Sequence, residues 1–526
     1  MKVYSGHELE IYKKDQLLMK PEWNRRDFTQ GVVAYINGST EKILAIGGLR
    51  GTGKTVGILQ SCEGRDDVLY ILAQRSEGDS KDIGGDFIEL IKNTDKRVII
   101  IDEYSWICDR KNLDYYLLTA VQNGKRIIIT ATESISLEYL NYGTLNHRVH
   151  ILHTTLFSYG EYLRLYDKNH SKVVCKEYLL EGGLFPDYAL KNYDSMRTYI
   201  EEAIVKNLAG YLKDEMSEEV AATLTYCVLY KAICPSNLSS VPVLRNSGIT
   251  RDAFLERMHI NISLAVDESE LRRIAEIFEQ IGLIVTIPNY DSESEIKEQY
   301  YITNPSLTCQ LIMAAYDLEN LDNSILGHVF ESCVAVQLYT NKLSEHQVFF
   351  YNNGGKQNDS ENKELDIVIT DKERLYAYFF ECKFTQSDQI HPNITLLSGY
   401  LEEYPFKGVE VEGRYLVYNG TPCVREDYDV GPVIFTPIGY ILDDYFLFEK
   451  NKKDIEKLDK DKKKDRSDGS NGGVSNSIKE IVESIAKKAE DLKSDISKTV
   501  LEQRERIRAS FEHNTVITDN IRGIVR

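Results

Sequence analysis

Residues 43–55 read ILAIGGLRGTGKT, and this stretch decides the fold of the first part of the chain. Its second part, residues 48–55, has the G-x-x-x-x-G-K-[ST] spacing of a phosphate-binding loop and follows an apolar run that predicts a buried strand. Glycines let such a loop curl so that several backbone N–H groups point at phosphate oxygens. The pattern therefore predicts a nucleotide site between a strand and the helix after it.

The residues of this loop have distinct predicted roles. Lys54 reaches the β- and γ-phosphates as a point charge, and the Thr55 hydroxyl is a hard oxygen ligand for Mg²⁺. The positive end of the following helix dipole adds to the attraction for phosphate. The residues predicted to bind ATP are Gly48, Leu49, Arg50, Gly51, Thr52, Gly53, Lys54 and Thr55.

Short β-branched runs alternate with helical patterns over the first 170 residues. The runs lie at residues 43–46, 68–72, 98–101 and 127–130. Continuous runs of this kind suit strands buried on both faces of a parallel sheet. Repeated strand and helix gives a three-layer domain, so the predicted fold class is α/β, beginning with a P-loop parallel-sheet ATPase domain.

The third and fourth runs end in polar residues that fit ATP hydrolysis. Asp102 and Glu103 fit a Walker B element, in which Asp102 holds Mg²⁺ through its water shell and Glu103 polarises the attacking water. Thr130 is the first candidate for sensing the γ-phosphate or positioning the water, and Thr132 is the second. Arg148 is a candidate phosphate-sensing arginine, in cis or towards a neighbour. A surface arginine on an edge strand is the alternative.

These segments resemble a widespread prokaryotic family of AAA-type ATPases. The stretches that carry the resemblance are GGLRGTGKT, VIIIDEYSW, RIIITATES, HRVHILHTTLFSYGEYLRL and EYLLEGGLFPDY. In that family a signalling-type ATPase domain precedes a C-terminal domain of uncharacterised function, and the resemblance covers most of residues 20–450. It implies a winged helix and a restriction-endonuclease-like domain after the ATPase domain. Family members usually carry a glycine just before the arginine, where this chain has His147.

The middle of the chain is mainly helical by pattern. Apolar spacing predicts helices at residues 195–212, 218–232, 251–258 and 268–281, then strands at residues 282–287 and 299–303. Helix, helix and hairpin is the order of a winged helix, a fold that often binds DNA. The last helix carries only Arg272 and Arg273 as cations against four glutamates. DNA binding and a structural or protein-contact role are therefore alternative predictions.

A second group of reactive residues lies in the C-terminal part. A helix carries Glu331, one strand carries Asp366, and the next strand carries Glu381 and Lys383. A two-residue turn at residues 373–374 would put Asp366 across from Glu381, and alternation along strands puts Lys383 on the same face. This is the D…E-x-K order of restriction-endonuclease-like nucleases, whose carboxylates bind Mg²⁺. A half-exposed hairpin that alternates acids and lysines is the alternative.

The roles that follow for this group are two. Asp366, Glu381 and Lys383 are predicted catalytic residues, in which the metal and the lysine activate water and stabilise charge on a phosphodiester. Glu331, Asp366 and Glu381 are predicted metal ligands, together with Thr55 and Asp102 at the ATP site.

The tail differs in composition from the rest. Residues 451–468 are almost entirely charged and of mixed sign, which is typical of a linker. Apolar residues from Ile478 to Ile496 then recur at heptad spacing. This amphipathic helix is expected to dock on the body, pair with a second copy or lie loose. The predicted domains are an AAA-type ATPase domain at 1–170, a helical and winged-helix domain at 171–320, a nuclease-like domain at 321–450 and the tail at 451–526.

Composition excludes several classes of protein. The 526 residues carry a formal net charge of −19, which argues against a protein that coats nucleic acid but leaves a local basic groove open. The nine cysteines include no C-x-x-C pair, so they predict reduced thiols and no zinc site. No stretch approaches the roughly 18 apolar residues of a membrane span. We expect a cytoplasmic protein without a membrane partner.

Together these features favour an ATP-binding, Mg²⁺-dependent ATPase that couples its nucleotide state to a nuclease-like or nucleic-acid-binding domain. The predicted cofactors are ATP and Mg²⁺. One alternative is a nucleotide-binding switch or scaffold without cleavage, and another is an ATP-gated DNA endonuclease. Partners expected besides ATP are DNA or another nucleic acid, and a second copy or another protein bound through the C-terminal helix.

Overall fold

The chain divides into two units, Met1–Tyr445 and Phe446–Arg526. The second unit, with the linker and amphipathic helix predicted for residues 451–526, lies outside the described residues, and the domain bounds proposed within the first unit stay a prediction. The computed structural model describes residues 1–17, 25–38, 40, 42–73, 82–108, 110–132, 145, 147–154, 156–184, 190–212, 215–234, 249–261, 266–342, 346–353, 364–387, 390–392, 405–420, 423–425, 428 and 433–438.

A six-stranded sheet organises the first part of the chain. The strands in chain order are β1 Lys2–Ser5, β2 Ile43–Gly47, β3 Val68–Leu72, β4 Asp82–Ile83, β5 Val98–Asp102, β6 Ile107–Cys108, β7 Arg126–Ala131 and β8 Val149–His153. Strands β4 and β6 pair with each other, and the remaining six have the order β1-β3-β5-β7-β2-β8. Only the β1–β3 pair is antiparallel. The four predicted strands are confirmed as β2, β3, β5 and β7.

Helices cover both faces of this sheet. They are α1 Gly6–Leu17, α2 Phe28–Asn37, α3 Lys54–Ser61, α4 Gly84–Asn93 and α5 Arg110–Gln122. Side chains of β5 alternate between two apolar cores, since Ile99 and Ile101 lie in one and Val98 and Ile100 in the other. Burial on both faces explains why these strands read as continuous apolar runs.

Helices dominate the middle of the chain. They are α6 Tyr159–Leu165, α7 Lys172–Glu181, α8 Tyr193–Tyr199, α9 Lys206–Tyr211, α10 Glu218–Ile233, α11 Arg251–Arg257 and α12 Glu268–Gln280. A π-helical segment, Ile200–Val205, joins α8 to α9, so the helix predicted over 195–212 exists with a local change of hydrogen-bond pattern.

A hairpin and two long helices follow. The hairpin consists of antiparallel strands β9 Ile284–Pro288 and β10 Glu298–Ile302, and the helices are α13 Pro305–Tyr316 and α14 Asn323–Asn341. The helix–helix–hairpin order is thus present. Within the described ranges, no helix is long and apolar enough to span a bilayer.

The last part of the described chain is a second six-stranded sheet. Its strands are β11 His346–Asn352, β12 Glu364–Asp371, β13 Tyr376–Lys383, β14 Glu410–Tyr418, β15 Cys423–Arg425 and β16 Val433–Pro437, in the order β11-β12-β13-β14-β16-β15. Neighbours β13, β14 and β16 run parallel, and the other pairs are antiparallel. Helix α14 packs on β13.

The turn between β12 and β13 differs from the prediction. The register, in which Ile367 faces Phe380, is the one expected for a turn centred on residues 373–374. The strands end earlier than expected, however, and a two-residue turn is wrong. Asp371 Oδ1 accepts the amides of Leu375 at 2.7 Å and Tyr376 at 3.1 Å, which closes the longer connection.

Candidate functional site

The phosphate loop connects β2 to α3. Gly48, Gly51 and Gly53 have φ angles of 146°, 86° and 82°, a region that glycine alone enters freely. A β-carbon at Gly48 would lie 2.1 Å from Thr154 Oγ1. The Thr154 hydroxyl also lies 2.9 Å from Thr52 Oγ1, so it supports the loop from beneath. Sequence reasoning missed Thr154, which directly follows β8.

Lys54 and Thr55 begin α3 beside the end of β5. Lys54 Nζ donates to the carbonyls of Gly48 at 2.7 Å and Leu49 at 3.0 Å. Burial lowers the pKa of Lys54, against the opposing charges of Glu103 and Asp102. The Thr55 hydroxyl donates to Asp102 Oδ2 at 2.7 Å. The structure therefore brings the predicted Mg²⁺ ligands together.

Asp102 is fully buried and accepts hydrogen bonds from three hydroxyl groups. Besides Thr55, these are Tyr70 on Oδ2 and Thr130 on Oδ1. Burial, then the charge of Asp102, raises the pKa of Tyr70 well above its ordinary value, so it stays a donor. Tyr70 was not predicted. A tyrosine in the middle of an apolar strand beside the Walker B strand is its only sequence signal.

Glu103 adopts a left-handed backbone conformation with a φ of 59°. Its amide donates to Thr130 Oγ1 at 2.9 Å, and its carboxylate oxygens accept from Thr132 Oγ1 at 2.9 and 3.1 Å. Burial raises the pKa of Glu103, with Lys54 opposing and Asp102 adding to the shift. Both predicted threonines thus contact the acids, and sensing of the γ-phosphate stays a prediction.

Arg148 lies at the opposite edge of the sheet. Its carbonyl accepts the amide of Ile43, the first residue of β2, whereas the phosphate loop follows the last residue of that parallel strand. Five residues of strand separate the two edges by about 16 Å. Phosphate sensing by Arg148 in cis therefore disagrees with the sheet geometry, and action on a neighbour stays a prediction. His147 has a φ of 58°, which explains the glycine usual there.

The structure also brings together the predicted residues of α14, β12 and β13. Lys383 Nζ lies 2.8 Å from Glu381 Oε1. Asp366 Oδ2 accepts the amide of Cys382 at 2.6 Å. The Glu381 side chain is 1% exposed and that of Lys383 is 42% exposed. The lysine is therefore partly open to solvent, while the acid that it contacts is buried.

The pKa values of these groups shift in the directions expected for charged neighbours. Burial, then the charge of Glu381, raises the pKa of Asp366 from 3.8 to about 7. Burial and Asp366 raise that of Glu331 well above its ordinary value. Burial alone would lower the pKa of Lys383, but Glu381 and Asp366 hold it above its ordinary value. Acids that hold protons in this way exchange them for a cation.

The donor set fits a cation that needs few protein ligands. Nowhere in the described ranges are three or more His, Cys, Asp or Glu side chains arranged to hold a metal ion. Glu331, Asp366 and Glu381 are therefore not gathered into one three-carboxylate site, and their role as metal ligands stays a prediction. Mg²⁺ commonly takes only one or two protein carboxylates and keeps several waters, a need that Asp366 and Glu381 could meet. His328 Nδ1 lies 4.0 Å from Glu331 Oε2, and burial lowers the pKa of His328 to about 4, so it is neutral. Sequence reasoning missed this histidine.

Comparison with known proteins identifies the first site. Residues 40–163 match the AAA domain family, a span that contains the loop and the Walker B strand. These residues form an AAA-type P-loop ATPase domain. Residues 309–394 match a second family, described as archaea bacterial proteins of unknown function, and include the acids and lysine of the second site. Comparison with curated proteins gives no match.

Several solved structures match this chain at low similarity. Yeast (S. cerevisiae) Hsp104 with ADP is 12% identical with a TM-score of 0.24, and the match covers 62% of this chain but only 43% of Hsp104. AMPPCP-bound DnaA from Aquifex aeolicus is 14% identical with a TM-score of 0.24, covering 48% and 86% of the two chains. Thermotoga maritima RuvB is 13% identical with a TM-score of 0.21, covering 49% and 89%.

Proposed function

We propose that this protein is a Mg²⁺-dependent ATPase whose nucleotide state controls its C-terminal part. The contact of 2.7 Å between Thr55 and Asp102 carries the proposal, because a hydroxyl and a carboxylate at the end of a phosphate loop are oxygen ligands suited to Mg²⁺. The AAA match supports the same class. When bound, Mg²⁺ neutralises charge on the phosphates.

The residues of the phosphate loop and those that follow β5 and β7 have separate proposed roles. Loop amides bind phosphate oxygens, which the left-handed glycines make possible, and Lys54 adds a positive charge. Glu103 accepts a proton from the attacking water, and its raised pKa suits that role. Thr132 holds the Glu103 carboxylate in place. Phosphate-loop hydrolysis needs little more than this positioning and charge stabilisation.

Two variants test the ATPase. Lys54→Ala should abolish binding of a fluorescent ATP analogue. Glu103→Gln should keep binding but lower phosphate release by at least about 100-fold, because it removes the proton acceptor. Glu89→Gln, an exposed acid of α4, is the matched control and should behave as wild type. Unchanged turnover in Glu103→Gln would remove Glu103 from its role.

A second function, cleavage of a phosphodiester by the C-terminal sheet, is favoured by one observation. Lys383 Nζ lies 2.8 Å from Glu381 Oε1, and Asp366 interacts electrostatically with both Glu381 and Lys383. Carboxylates bind the cation that activates water, and a lysine stabilises negative charge as the bond breaks. Whether the nucleic acid is DNA or RNA is decided by assay.

Plasmid cleavage with Mg²⁺, with and without ATP, tests this second function. Lys383→Met should lose cleavage, and Lys372→Ala, an exposed lysine on the turn of the same hairpin, should retain it. Cleavage only with ATP would identify an ATP-gated endonuclease. No cleavage by wild type under any of these conditions would favour the switch or scaffold.

The contacts of the β9–β10 hairpin support a structural role for the middle segment. The Tyr290 amide donates to the Phe350 carbonyl of β11 at 2.7 Å, and Asn289 Nδ2 donates to the Asn352 carbonyl at 2.8 Å. A hairpin bonded to the neighbouring sheet in this way cannot insert into a nucleic-acid groove as a free wing. We therefore propose that it joins the helices α10 and α12 of the middle segment to the second sheet.

A further inference from the structure

A sequence motif outside the ATP site makes a buried ion pair. Residues 156–162, LFSYGEY, lead into α6, where Ser158 Oγ accepts the amide of Glu161 at 3.0 Å and so caps the helix. Glu161 also forms a two-point contact with Arg26, from Nε to Oε1 at 3.1 Å and from Nη2 to Oε2 at 2.7 Å. The side chains are 4% and 7% exposed for Arg26 and Glu161. Neither residue has a part in the chemistry proposed above.

Arg26 stabilises the ionised form of Glu161. Burial alone would raise the pKa of Glu161, but the charge and hydrogen bonds of Arg26 hold it below its ordinary value. The Asp27 amide donates to Glu161 Oε1 at 3.1 Å as well. The Arg26 guanidinium carbon lies 4.7 Å from the centre of the Phe157 ring, a cation–π distance. The Arg26 side chain is therefore held by both Glu161 and the Phe157 ring.

Arg26 also reaches the phosphate loop. Its Nη1 donates to the Thr52 carbonyl at 2.6 Å. The Thr52 C=O and the Gly53 N–H belong to one planar peptide group and point in opposite directions when it is trans. Fixing the carbonyl on Arg26 therefore aims the Gly53 amide away from Arg26, and the positive charge polarises that amide as a donor.

The other end of the motif is linked through Tyr178 to helix α14. The Tyr178 hydroxyl on α7 donates to the Phe157 carbonyl at 2.6 Å, and Gln337 Nε2 on α14 donates to the Tyr178 oxygen at 3.2 Å. Tyr178 is 1% exposed. Gln337 lies about 9 Å along the same helix from Glu331, the acid of the second site.

We propose that Arg26 is a positioning residue for the phosphate loop. We also propose that nucleotide binding at that loop affects α14 through a chain of contacts formed by Glu161, Phe157, Tyr178 and Gln337. This inference rests on the proposed ATPase function and names its route of control. A phosphate that binds the pre-aimed Gly53 amide pulls on the Thr52–Gly53 peptide group and so loads its contact with Arg26. The ion pair and the tyrosine pass that pull to α14, because a buried charge pair cannot separate cheaply.

Hydrogen–deuterium exchange on the full chain tests the route. Wild type with Mg²⁺ and a non-hydrolysable ATP analogue should show slower exchange in residues 323–341. Tyr178→Phe removes one hydroxyl and should reduce that change at least about twofold, with nucleotide affinity within about fivefold of wild type. Tyr230→Phe also loses one hydroxyl bond to a backbone carbonyl, that of Ile249, and should keep the full change.

A second variant tests the loop end of the route. Arg26→Lys keeps the charge but cannot make the two-point contact and the Thr52 bond together, so nucleotide affinity should fall at least about tenfold. A wild-type affinity in Arg26→Lys overturns the positioning role. Equal exchange changes in Tyr178→Phe and wild type overturn the route to α14, as does nucleotide binding without any change in 323–341. Absence of nucleotide binding by wild type overturns the proposed function, and this inference with it.

Discussion

Glu103 and His147 are two non-glycine residues with left-handed backbones, at φ angles of 59° and 58°. That conformation costs a non-glycine residue roughly 1–2 kcal/mol. At Glu103 the contacts with Thr130 and Thr132 offset the cost and fix the carboxylate beside the phosphate loop. His147 is exposed on a turn, where glycine would serve equally well. The strained backbone at Glu103 therefore positions the proposed proton acceptor, whereas the strained backbone at His147 positions no side chain with a proposed role.

Thr130 provides a test at the scale of one residue. Its hydroxyl donates to Asp102 and accepts the Glu103 amide, both from a fully buried position. Thr130→Val keeps the shape but leaves those two groups without that partner. The free energy of unfolding should fall by about 1–3 kcal/mol, and the rate of ATP hydrolysis should fall with it. Urea unfolding and phosphate release measure the two effects.

The matched control is Thr225→Val in α10. Thr225 is also fully buried, but its hydroxyl donates only to the Ala221 carbonyl of its own helix at 2.7 Å. That carbonyl remains in the helix ladder, so stability should change less and hydrolysis should not change. Equal loss of hydrolysis in both variants would contradict a specific role for Thr130.

The β9–β10 hairpin contacts the second sheet through the buried side chain of Asn289, which directly follows β9. Its amide donates to the carbonyls of Ile296 at 2.9 Å and Asn352 at 2.8 Å, and its oxygen accepts the Asp291 amide at 3.0 Å. A parallel bridge between Asn289 and Phe350 extends the contact. Polar contacts around Asn289 thus join the hairpin to the second sheet, next to the packing of Tyr290 in the apolar core of that sheet.

Asn289→Ala tests this junction. It leaves three backbone groups without the asparagine, two of them buried, so the free energy of unfolding should fall by roughly 2–4 kcal/mol. Asn261→Ala is the control, because Asn261 is exposed and its amide contacts Glu219 at 2.8 Å. Urea unfolding should show little change there. Similar midpoints for both variants would show that the junction does not depend on Asn289.

Stability as a function of pH belongs to the whole molecule. The pKa of Asp366 is raised from 3.8 to about 7, so the folded protein holds a proton that the unfolded chain releases above about pH 4. This group therefore lowers the free energy of unfolding as pH rises from about 4 to 7. Asp366→Asn cannot ionise and should flatten that decline. Urea unfolding over this range, with chelator present, measures it.

Mg²⁺ should act in the opposite direction on wild type. Because the cation requires ionised carboxylates, its stabilising effect should grow as pH rises through about 7 and be smaller in Asp366→Asn. Asp95→Asn, an exposed acid near the start of β5, should keep the wild-type profile. Parallel profiles for Asp366→Asn and wild type would contradict the raised pKa.

Local sequence by itself determined the strands of the AAA domain and the phosphate-loop conformation of its proposed ATP site. The loop motif fixes its own backbone through glycines, and apolar runs identify buried strands without reference to the rest of the chain. The meeting of Thr55 with Asp102 also followed, because parallel strands end at the same edge of a sheet. The register of β12 against β13, in which Ile367 faces Phe380, also followed from the sequence, although the turn between the strands did not.

Tertiary structure alone decided the contacts between distant residues. Arg26 and Glu161 are 135 positions apart, and no local pattern relates them. The same holds for Tyr70 on Asp102, for the docking of the hairpin on β11, and for the edge of the sheet on which Arg148 lies. Motifs encode short stretches whose backbone shape is set by neighbouring residues. A buried polar group instead takes whichever partner the folded chain places beside it, since it cannot remain without one.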